Sequence, residues 1–232
     1  MDHEKPIIYV KNVRKVYRMG DEEVVALKRI NLRIYKGEVC CIFGTSGSGK
    51  STLLNQLAGM EKPTKGQVFI RGKNISDMNE EELAAFRQEH MSFIFQSYNL
   101  LPSMTAVENV AMPLMFKGMD RKKREAMAEE MLKRVGLSHR LHHYPSQMSG
   151  GQQQRAGIAR AFVSRPEVVF ADEPTGNLDT KTTAEIMDMV MGFARRFNQT
   201  IILVTHDPGM SRYADRIVTL VDGIITGDER KG

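Results

Sequence analysis

A glycine-rich string with one lysine carries the clearest chemical signal in this sequence. Residues 44–51 read GTSGSGKS and fit the pattern G-x-x-x-x-G-K-[ST] at every fixed position. The string follows an apolar segment, Val39–Phe43, and precedes a helical pattern, as this motif requires. Its glycines let several N–H groups face one anion, and the helix N-terminus adds a favourable field. The sequence therefore predicts a phosphate-binding loop rather than a glycine-rich turn with an incidental lysine.

This loop predicts ATP and Mg²⁺ as cofactors. We expect Lys50 to reach the β- and γ-phosphates and the Ser51 hydroxyl to ligate Mg²⁺. Nucleotide contacts are expected along the whole string and the residue after it: Gly44, Thr45, Ser46, Gly47, Ser48, Gly49, Lys50, Ser51 and Thr52.

Two acids close a second apolar segment, Val168–Ala171. A buried strand of a parallel sheet delivers its carboxyl end to the ligand crevice. We therefore expect Asp172 to hold Mg²⁺, directly or through water, and Glu173 to polarise the attacking water. His206 follows the strand-like segment Ile201–Thr205 and belongs at the same sheet edge. It is either a loop or core histidine or a contact to the γ-phosphate that orders Glu173, and spacing alone leaves both open.

A second glycine-rich string, MSGGQ at 148–152, precedes a helical pattern from about Gln153 to Val163. Serine and two glycines at the start of a helix form another anion site. They also suit a capped helix with a flexible entry.

Residues 144–180, YPSQMSGGQQQRAGIARAFVSRPEVVFADEPTGNLDT, resemble the signature region of ABC ATPases. The resemblance covers essentially the whole chain, with the motifs in the family's order and spacing. They are the phosphate loop, Gln96 after Phe95 as the lid glutamine, the signature at 148–152, Asp172-Glu173, the Asn177-Leu178-Asp179 loop and His206. Met148 replaces the family's commoner leucine, a change that conserves volume.

This resemblance implies that two copies stack head to tail around two ATP molecules. Each ATP would lie between one phosphate loop and the opposite signature, where Ser149, Gly150, Gly151 and Gln152 complete the neighbour's site. Asp179 would touch the partner across the dimer, and Tyr17 matches the aromatic residue that stacks on adenine. Gln96 would join Ser51 and Asp172 at the metal, and the implied catalytic residues are Glu173, His206 and Gln96.

Four further strings are similar to one subgroup: VALKRINLRIYKGE, SGSGKSTLLNQLAGMEKPTKG, FQSYNLLPSMTAVENV and ADEPTGNLD. That subgroup contains the ATPases of lipoprotein release, macrolide and antimicrobial-peptide export, and the bacterial cell-division pair. The implied partner is a separate membrane permease with few spans and a large extracytoplasmic domain, driven for export, extraction or mechanotransmission. The alternatives are a soluble ABC ATPase acting on nucleic acid or ribosomes and a regulatory cell-division ATPase. A small-molecule kinase is disfavoured because it needs an acceptor site rather than a water-activating acid.

Composition, the length of the apolar segments and the cysteines indicate the cellular compartment. The chain has 232 residues, of which 41% are hydrophobic and 26% charged, typical of a soluble globular protein. No apolar segment approaches the roughly 20 residues needed to cross a bilayer, and MDHEKP does not read as a secretory signal. Cys40 and Cys41 read as buried core residues in a reducing compartment. We expect a cytoplasmic protein held at the inner face of the cell membrane by its partner.

The net charge of +5 is spread along the sequence. Its tightest basic run, Arg121–Arg124, lies in a helical pattern rich in glutamate and is interpreted as a solvated helix face. No nucleic-acid partner is therefore expected.

Alternating strand and helix patterns must position these motifs. Strands are predicted at Ile7–Val10, Val24–Leu27, Leu32–Ile34 and Val39–Phe43, and residues from about 100 to 164 are helical throughout. The expected fold class is α/β: a P-loop NTPase core with a parallel central sheet, an N-terminal antiparallel β subdomain and that helical insert, in a single domain of residues 1–232. Five methionines crowd the insert, either as core filling or as a surface that repacks against a partner: Met112, Met115, Met119, Met127 and Met131.

Overall fold

The computed structural model describes residues 5–231, so both limits of the predicted 1–232 domain lie outside it. The chain divides into two compact units. The first contains residues 5–87 and 200–231, and the second contains residues 88–199.

Ten strands and six α-helices follow one another along residues 5–231. The strands are β1 (Ile8–Met19), β2 (Glu22–Ile34), β3 (Val39–Phe43), β4 (Lys65–Ile70), β5 (Lys73–Asn74), β6 (Met91–Phe95), β7 (Val168–Asp172), β8 (Thr200–Thr205), β9 (Arg216–Val221) and β10 (Ile224–Arg230). The helices are α1 (Lys50–Leu57), α2 (Glu80–His90), α3 (Ala106–Phe116), α4 (Arg121–Arg134), α5 (Gly150–Val163) and α6 (Thr180–Phe197). Short 3-10 helices span Pro145–Gln147 and Pro208–Tyr213.

The first unit contains an antiparallel sheet in the order β2-β1-β4-β5. Alternate residues of β1 point inward, so that Ile8 and Val10 are fully buried while Tyr9 and Lys11 face outward. A bulge at Asn12, where φ is +50°, restores the alternation with Val13 buried.

The same unit contains a parallel group in which β3 lies between β8 and β9. Val39, Cys40, Cys41 and Ile42 are all buried, as expected of a parallel strand covered on both faces. The chain then enters the phosphate loop and α1. β10 returns antiparallel to β9 through a two-residue turn at Asp222-Gly223.

The second unit pairs β6 with β7 in parallel. All of residues 96–167 are described, and they form helices and connecting loops without a strand. After β7, α6 presents Ile186, Val190 and Phe193 on one buried face.

The predicted fold class is confirmed: parallel strands, an N-terminal antiparallel sheet and a helical segment are all present. The prediction was too short for β1, which continues to Met19, and it split β2 into two strands. β5 and β10 were not predicted. Within residues 5–231, no helix is both long and apolar enough to span a bilayer.

Candidate active site

The phosphate loop connects β3 to α1 in the first unit. Lys50 is 7% exposed, and its ammonium donates a hydrogen bond to the Thr45 carbonyl at 2.8 Å. Gly49, with φ at +100°, is the N-cap of α1, so no side chain occupies the first-turn N–H groups. The buried Ser48 hydroxyl makes no hydrogen bond among the described residues. A buried ammonium, an unbonded hydroxyl and an uncapped helix start suit a bound polyphosphate.

Backbone contacts from distant segments hold this loop. The Gly223 N–H, in the β9–β10 turn, donates to the Ser48 carbonyl at 2.9 Å. In turn, the Gly223 carbonyl accepts from the Lys28 N–H at 3.0 Å. A Cβ at Gly49 would lie 2.7 Å from the Ala26 carbonyl oxygen, so β2 also packs against the loop. Sequence reasoning missed this clamp, although Asp-Gly between apolar segments is a hairpin signal.

His206 and the loop leave the same end of the parallel strands. Phe43 pairs in register with Thr205, and Gly44 and His206 are the next residues on each strand. The His206 side chain is exposed, as is that of Ser51. His206 therefore lies at the same end of the parallel strands as the phosphate loop.

Tyr17 lies on β1 beside Thr52, the residue that follows the loop. Its hydroxyl donates to a Glu61 carboxylate oxygen at 2.7 Å, and the Lys15 ammonium lies 5.1 Å from the ring centroid. Burial, and then the bond to Glu61, raise the pKa of the Tyr17 hydroxyl. These contacts fix the orientation of the ring.

Gln96, Asp172 and Glu173 meet in the second unit. Phe95 pairs with Asp172, so Gln96 and Glu173 follow neighbouring parallel strands. Asn177 bonds to Gln96 twice: its amide donates to the Gln96 carbonyl at 3.1 Å and accepts from the Gln96 amide at 3.4 Å. Glu173 has φ at +43°, a conformation that L-residues adopt at a cost and that often marks functional positions.

Helix α5 fixes both of these loops. Gln154, which is fully buried, donates to the Pro174 carbonyl next to Glu173. Arg160 donates to the carbonyls of Asn99 and Tyr98 at 2.5 and 2.8 Å, in the segment after Gln96. Burial lowers the pKa of Arg160. Sequence reasoning missed Gln154 and Arg160, because neither stands out within the run QQQRAGIAR.

The signature string forms the N-terminus of α5. The Ser149 hydroxyl accepts from the Gln152 N–H at 3.3 Å, and the Gln152 side chain accepts from the Ser149 N–H at 3.1 Å. This reciprocal pair is a capping box. A Cβ at Gly150 would lie 2.7 Å from the Tyr98 hydroxyl oxygen, so a larger residue there would have to displace the end of the Tyr98 side chain. Because the Ser149 hydroxyl is used as an acceptor, its hydrogen can still be donated to an anion.

Asp179 is the N-cap of α6. Its carboxylate accepts from the Lys181 and Thr182 N–H groups at 3.1 and 3.0 Å and from the Thr182 hydroxyl at 2.6 Å. These bonds, led by the one from the Thr182 hydroxyl, lower the pKa of Asp179.

Each unit thus brings together part of the predicted site. The first contains the loop at 44–51, Thr52, Tyr17 and His206, and the second contains Gln96, Asp172, Glu173, the signature and Asp179. Within the described part of the chain, no three His, Cys, Asp or Glu side chains cluster to hold a metal.

A family model described as "ABC transporter" matches residues 27–176. The chain belongs to the ABC transporter family. It is an ATP-binding, ATP-hydrolysing subunit of that family, as the resemblance of its motifs predicted.

Relatives of this ABC ATPase fall into two groups by length. An uncharacterised ABC transporter ATP-binding protein of Methanocaldococcus jannaschii is 48% identical, with 94% of this chain covering 97% of the relative. The macrolide export ATP-binding/permease protein MacB of Shewanella sp. (strain ANA-3) is 47% identical over 97% of this chain. The chain spans only 34% of that MacB.

The ABC ATPase also matches a solved structure over nearly its whole length. A dimeric post-hydrolysis state of the ATP-binding cassette MJ0796, bound to ADP and Pi, has a TM-score of 0.90 and 42% identity. The match covers 97% of this chain and 99% of the other.

Proposed function

We propose that this ABC ATPase hydrolyses ATP with Glu173 as the residue that activates water, and that two copies assemble around two ATP molecules to drive a membrane permease. The left-handed backbone of Glu173 carries the first part of this proposal. Glu173 directly follows a buried strand and has a strained backbone. The carbonyl of the next residue, Pro174, accepts a hydrogen bond from the buried Gln154 side chain. Such geometry persists only where the surrounding structure maintains it.

The nucleotide contacts are proposed from the phosphate loop, residues 44–51, with Thr52. The buried Lys50 ammonium would bind the β- and γ-phosphates, and Ser51, Asp172 and Gln96 would hold Mg²⁺. When bound, Mg²⁺ supplies positive charge to the phosphate oxygens. His206 would contact the γ-phosphate. Its position supports this, because His206 and Gly44 follow neighbouring parallel strands at the same end.

Tyr17 is proposed to stack on the adenine ring. Its contact with Thr52 supports this position, and the bond to Glu61 holds the ring in one orientation. An aromatic ring that is already ordered loses little entropy on stacking.

The dimer is proposed to place each signature on the neighbour's ATP. Ser149 is exposed, its hydroxyl hydrogen is available, and the uncharged α5 N-terminus favours an anion. Gly150, Gly151 and Gln152 would complete this surface, and Asp179 would lie at the dimer contact. The dimeric state of the similar cassette MJ0796 supports this assembly.

The permease is proposed from the relatives. MacB is named an ATP-binding/permease protein, and this chain is similar to about a third of it. From the subgroup resemblance, the partner would have few membrane spans and a large extracytoplasmic domain. The ATPase, proposed as a single domain over residues 1–232, would lie at the cytoplasmic face. A soluble ABC ATPase acting on nucleic acid or ribosomes is not favoured by these relatives.

The test of the chemistry is Glu173→Gln, compared with Asp188→Asn, an exposed acid on α6. We expect Glu173→Gln to bind ATP, to form a stable dimer and to lose hydrolysis by about a hundredfold or more, while Asp188→Asn hydrolyses like the parent. Lys50→Ala should instead lose nucleotide affinity. Hydrolysis by Glu173→Gln at the parent rate would refute the choice of this carboxylate.

The test of the partner uses the same variant, locked with Mg-ATP and incubated with detergent-solubilised native membranes. A co-purifying protein with few spans and a large outer domain would support the MacB-like branch. A partner with many spans would overturn that branch, and ribosomes or nucleic acid would favour the soluble alternative.

A further inference from the structure

One face of the antiparallel sheet concentrates the positive charge of the chain. Directly paired residues share a face, so the register aligns Tyr9 with Arg33 and Phe69, and Arg14 with Lys65. All point away from the buried side of β1. Arg29 joins them through a 3.0 Å hydrogen bond to the Asn12 side chain. The charged members of this "basic face" are Lys11, Arg14, Arg18, Glu23, Arg29, Arg33 and Lys65.

Six cations and one acid give the basic face a net charge of +5, equal to that of the whole chain. Removing these seven residues from the 33 basic and 28 acidic residues leaves 27 of each. The sequence spreads these cations over more than fifty positions, whereas the strand pairing gathers them on one surface. The basic face is therefore a local concentration of positive charge on the antiparallel sheet.

Most of this charge is uncompensated. Arg18 pairs with Glu23 at 3.2 Å, where both side chains are more than half exposed. Within residues 5–231, the other five cations form no ion pair, and all except the half-buried Arg14 are exposed. Such a surface attracts an anionic partner.

The basic face also contains a depression of about 390 Å³. Three cations and one apolar residue, Val16, are among the residues that line it: Arg14, Val16, Arg18, Glu23, Thr64 and Lys65. A recess of this kind suits an apolar side chain that enters beside Val16 and is flanked by carboxylates on the arginines.

Two other anionic partners fit less well. The Tyr9 ring lies between Phe69, with centroids 5.8 Å apart, and the Arg33 guanidinium, 5.2 Å from the centroid. Both faces of the Tyr9 ring are therefore occupied, and this ring is not open to the base stacking that single-stranded nucleic acids use. Among the described residues, none of the large exposed apolar side chains belongs to the basic face, so it lacks the anchors that insert into a bilayer.

We propose that the basic face docks an acidic polypeptide segment of a partner protein. Its carboxylates pair with the guanidinium groups of Arg14 and Arg33 and the ammonium of Lys65, and an apolar side chain of the segment fills the depression. Four of the six cations are arginines, whose planar fork matches a carboxylate in two hydrogen bonds. This proposal does not depend on the assignment of Glu173 or on the permease.

The probe is a fluorescein-labelled synthetic peptide with alternating pairs of glutamate and leucine, and its glutamine counterpart is the control peptide. The variant is Arg14→Gln/Arg18→Gln/Lys65→Gln. Its matched control removes the same charge from exposed positions of α4: Lys122→Gln/Lys123→Gln/Lys133→Gln. Anisotropy titrations at about 50 and 200 mM salt measure affinity, and melting temperature and ATPase rate verify that both variants are folded.

We expect the acidic peptide to bind the parent, to bind about tenfold more weakly to the face variant, and to bind within about twofold of the parent to the α4 variant. If the half-buried Arg14 is needed for folding, the exposed pair Arg18→Gln/Lys65→Gln should still lose part of the affinity. An equal loss of peptide affinity in the face variant and the α4 variant overturns the proposal, as does the absence of peptide binding to the parent. So does tighter binding to phosphatidylglycerol vesicles or to single-stranded DNA.

Discussion

Replacement of Gly223 by alanine tests whether the β9–β10 turn positions the phosphate loop. A Cβ at this residue would lie 2.5 Å from the Ala26 carbonyl oxygen and 3.0 Å from its carbon, and φ is +73°. Gly20, in the β1–β2 turn, is the matched control. It has φ at +63°, but a Cβ there would meet no atom within 4 Å.

The two substitutions share one cost and differ in another. Alanine in the left-handed region costs about 1 kcal/mol at either site. At Gly223 the clash is with backbone, so relieving it must move β2 or the turn, and we estimate about 3 kcal/mol in total. For a chain of this length, that corresponds to losses in melting temperature of roughly 3 °C for Gly20→Ala and 10 °C for Gly223→Ala.

Nucleotide binding separates positioning from stability. A displaced turn cannot donate from Gly223 N–H to the Ser48 carbonyl, so the loop must be ordered by the nucleotide itself. We expect Gly223→Ala to bind a fluorescent ATP analogue about tenfold more weakly at a temperature where the protein is folded. Gly20→Ala should bind like the parent. If Gly223→Ala has a lowered melting temperature but binds the ATP analogue with the parent's affinity, the turn supports only the fold, and the inference that it positions the loop is wrong.

Three further substitutions have expected outcomes. Asp228→Asn should cost about 1–2 kcal/mol in urea unfolding, because the 7% exposed Arg216 loses a carboxylate that accepts two bonds of 2.6 Å. Arg216 lowers the pKa of Asp228, so the pair's contribution to stability is complete above the ordinary carboxyl pKa of about 4 and is lost as pH falls through the lower pKa of the folded state. A difference in unfolding free energy between parent and variant that grew on acidification would contradict this. Met115→Gln, at a position 38% exposed, should leave basal ATPase activity intact and reduce stimulation by the membrane partner, whereas Met131→Gln, at 7%, should destabilise the fold. Loss of basal activity in Met115→Gln would show that Met115 is needed for the ATPase itself.

The candidate site was proposed from short contiguous patterns in the sequence. The loop at 44–51 and the acids after Ala171 are read from a few adjacent residues and an apolar segment before them. The clamp on Ser48 comes from Gly223, 175 positions away, through backbone groups that have no sequence signature. The left-handed φ of Glu173 is likewise invisible, because glutamate gives no sign of it.

The strand errors and the charge distribution have one cause. Several outward residues of β1 are charged, including Lys11, Arg14 and Arg18, and they dilute the apolar signal on which strand prediction depends. Val13, buried at the bulge, also breaks the period of two. The same pairing that lengthens β1 aligns its cations with those of β2 and β4, so a charge that looks dispersed along the chain becomes one surface.

Two residues that the family resemblance assigns to the dimer also have a local structural task. Ser149 caps α5 and Asp179 caps α6, each through side-chain bonds to the first turn of its helix. Truncating either residue would uncap a helix that supports Gln154 or the loop after Glu173, so lost activity alone could not identify a contact with the neighbouring copy. Asparagine at either position keeps a capping oxygen but removes the Ser149 hydroxyl or the Asp179 charge. Only a defect that persists in such a cap-preserving variant can be attributed to the partner subunit.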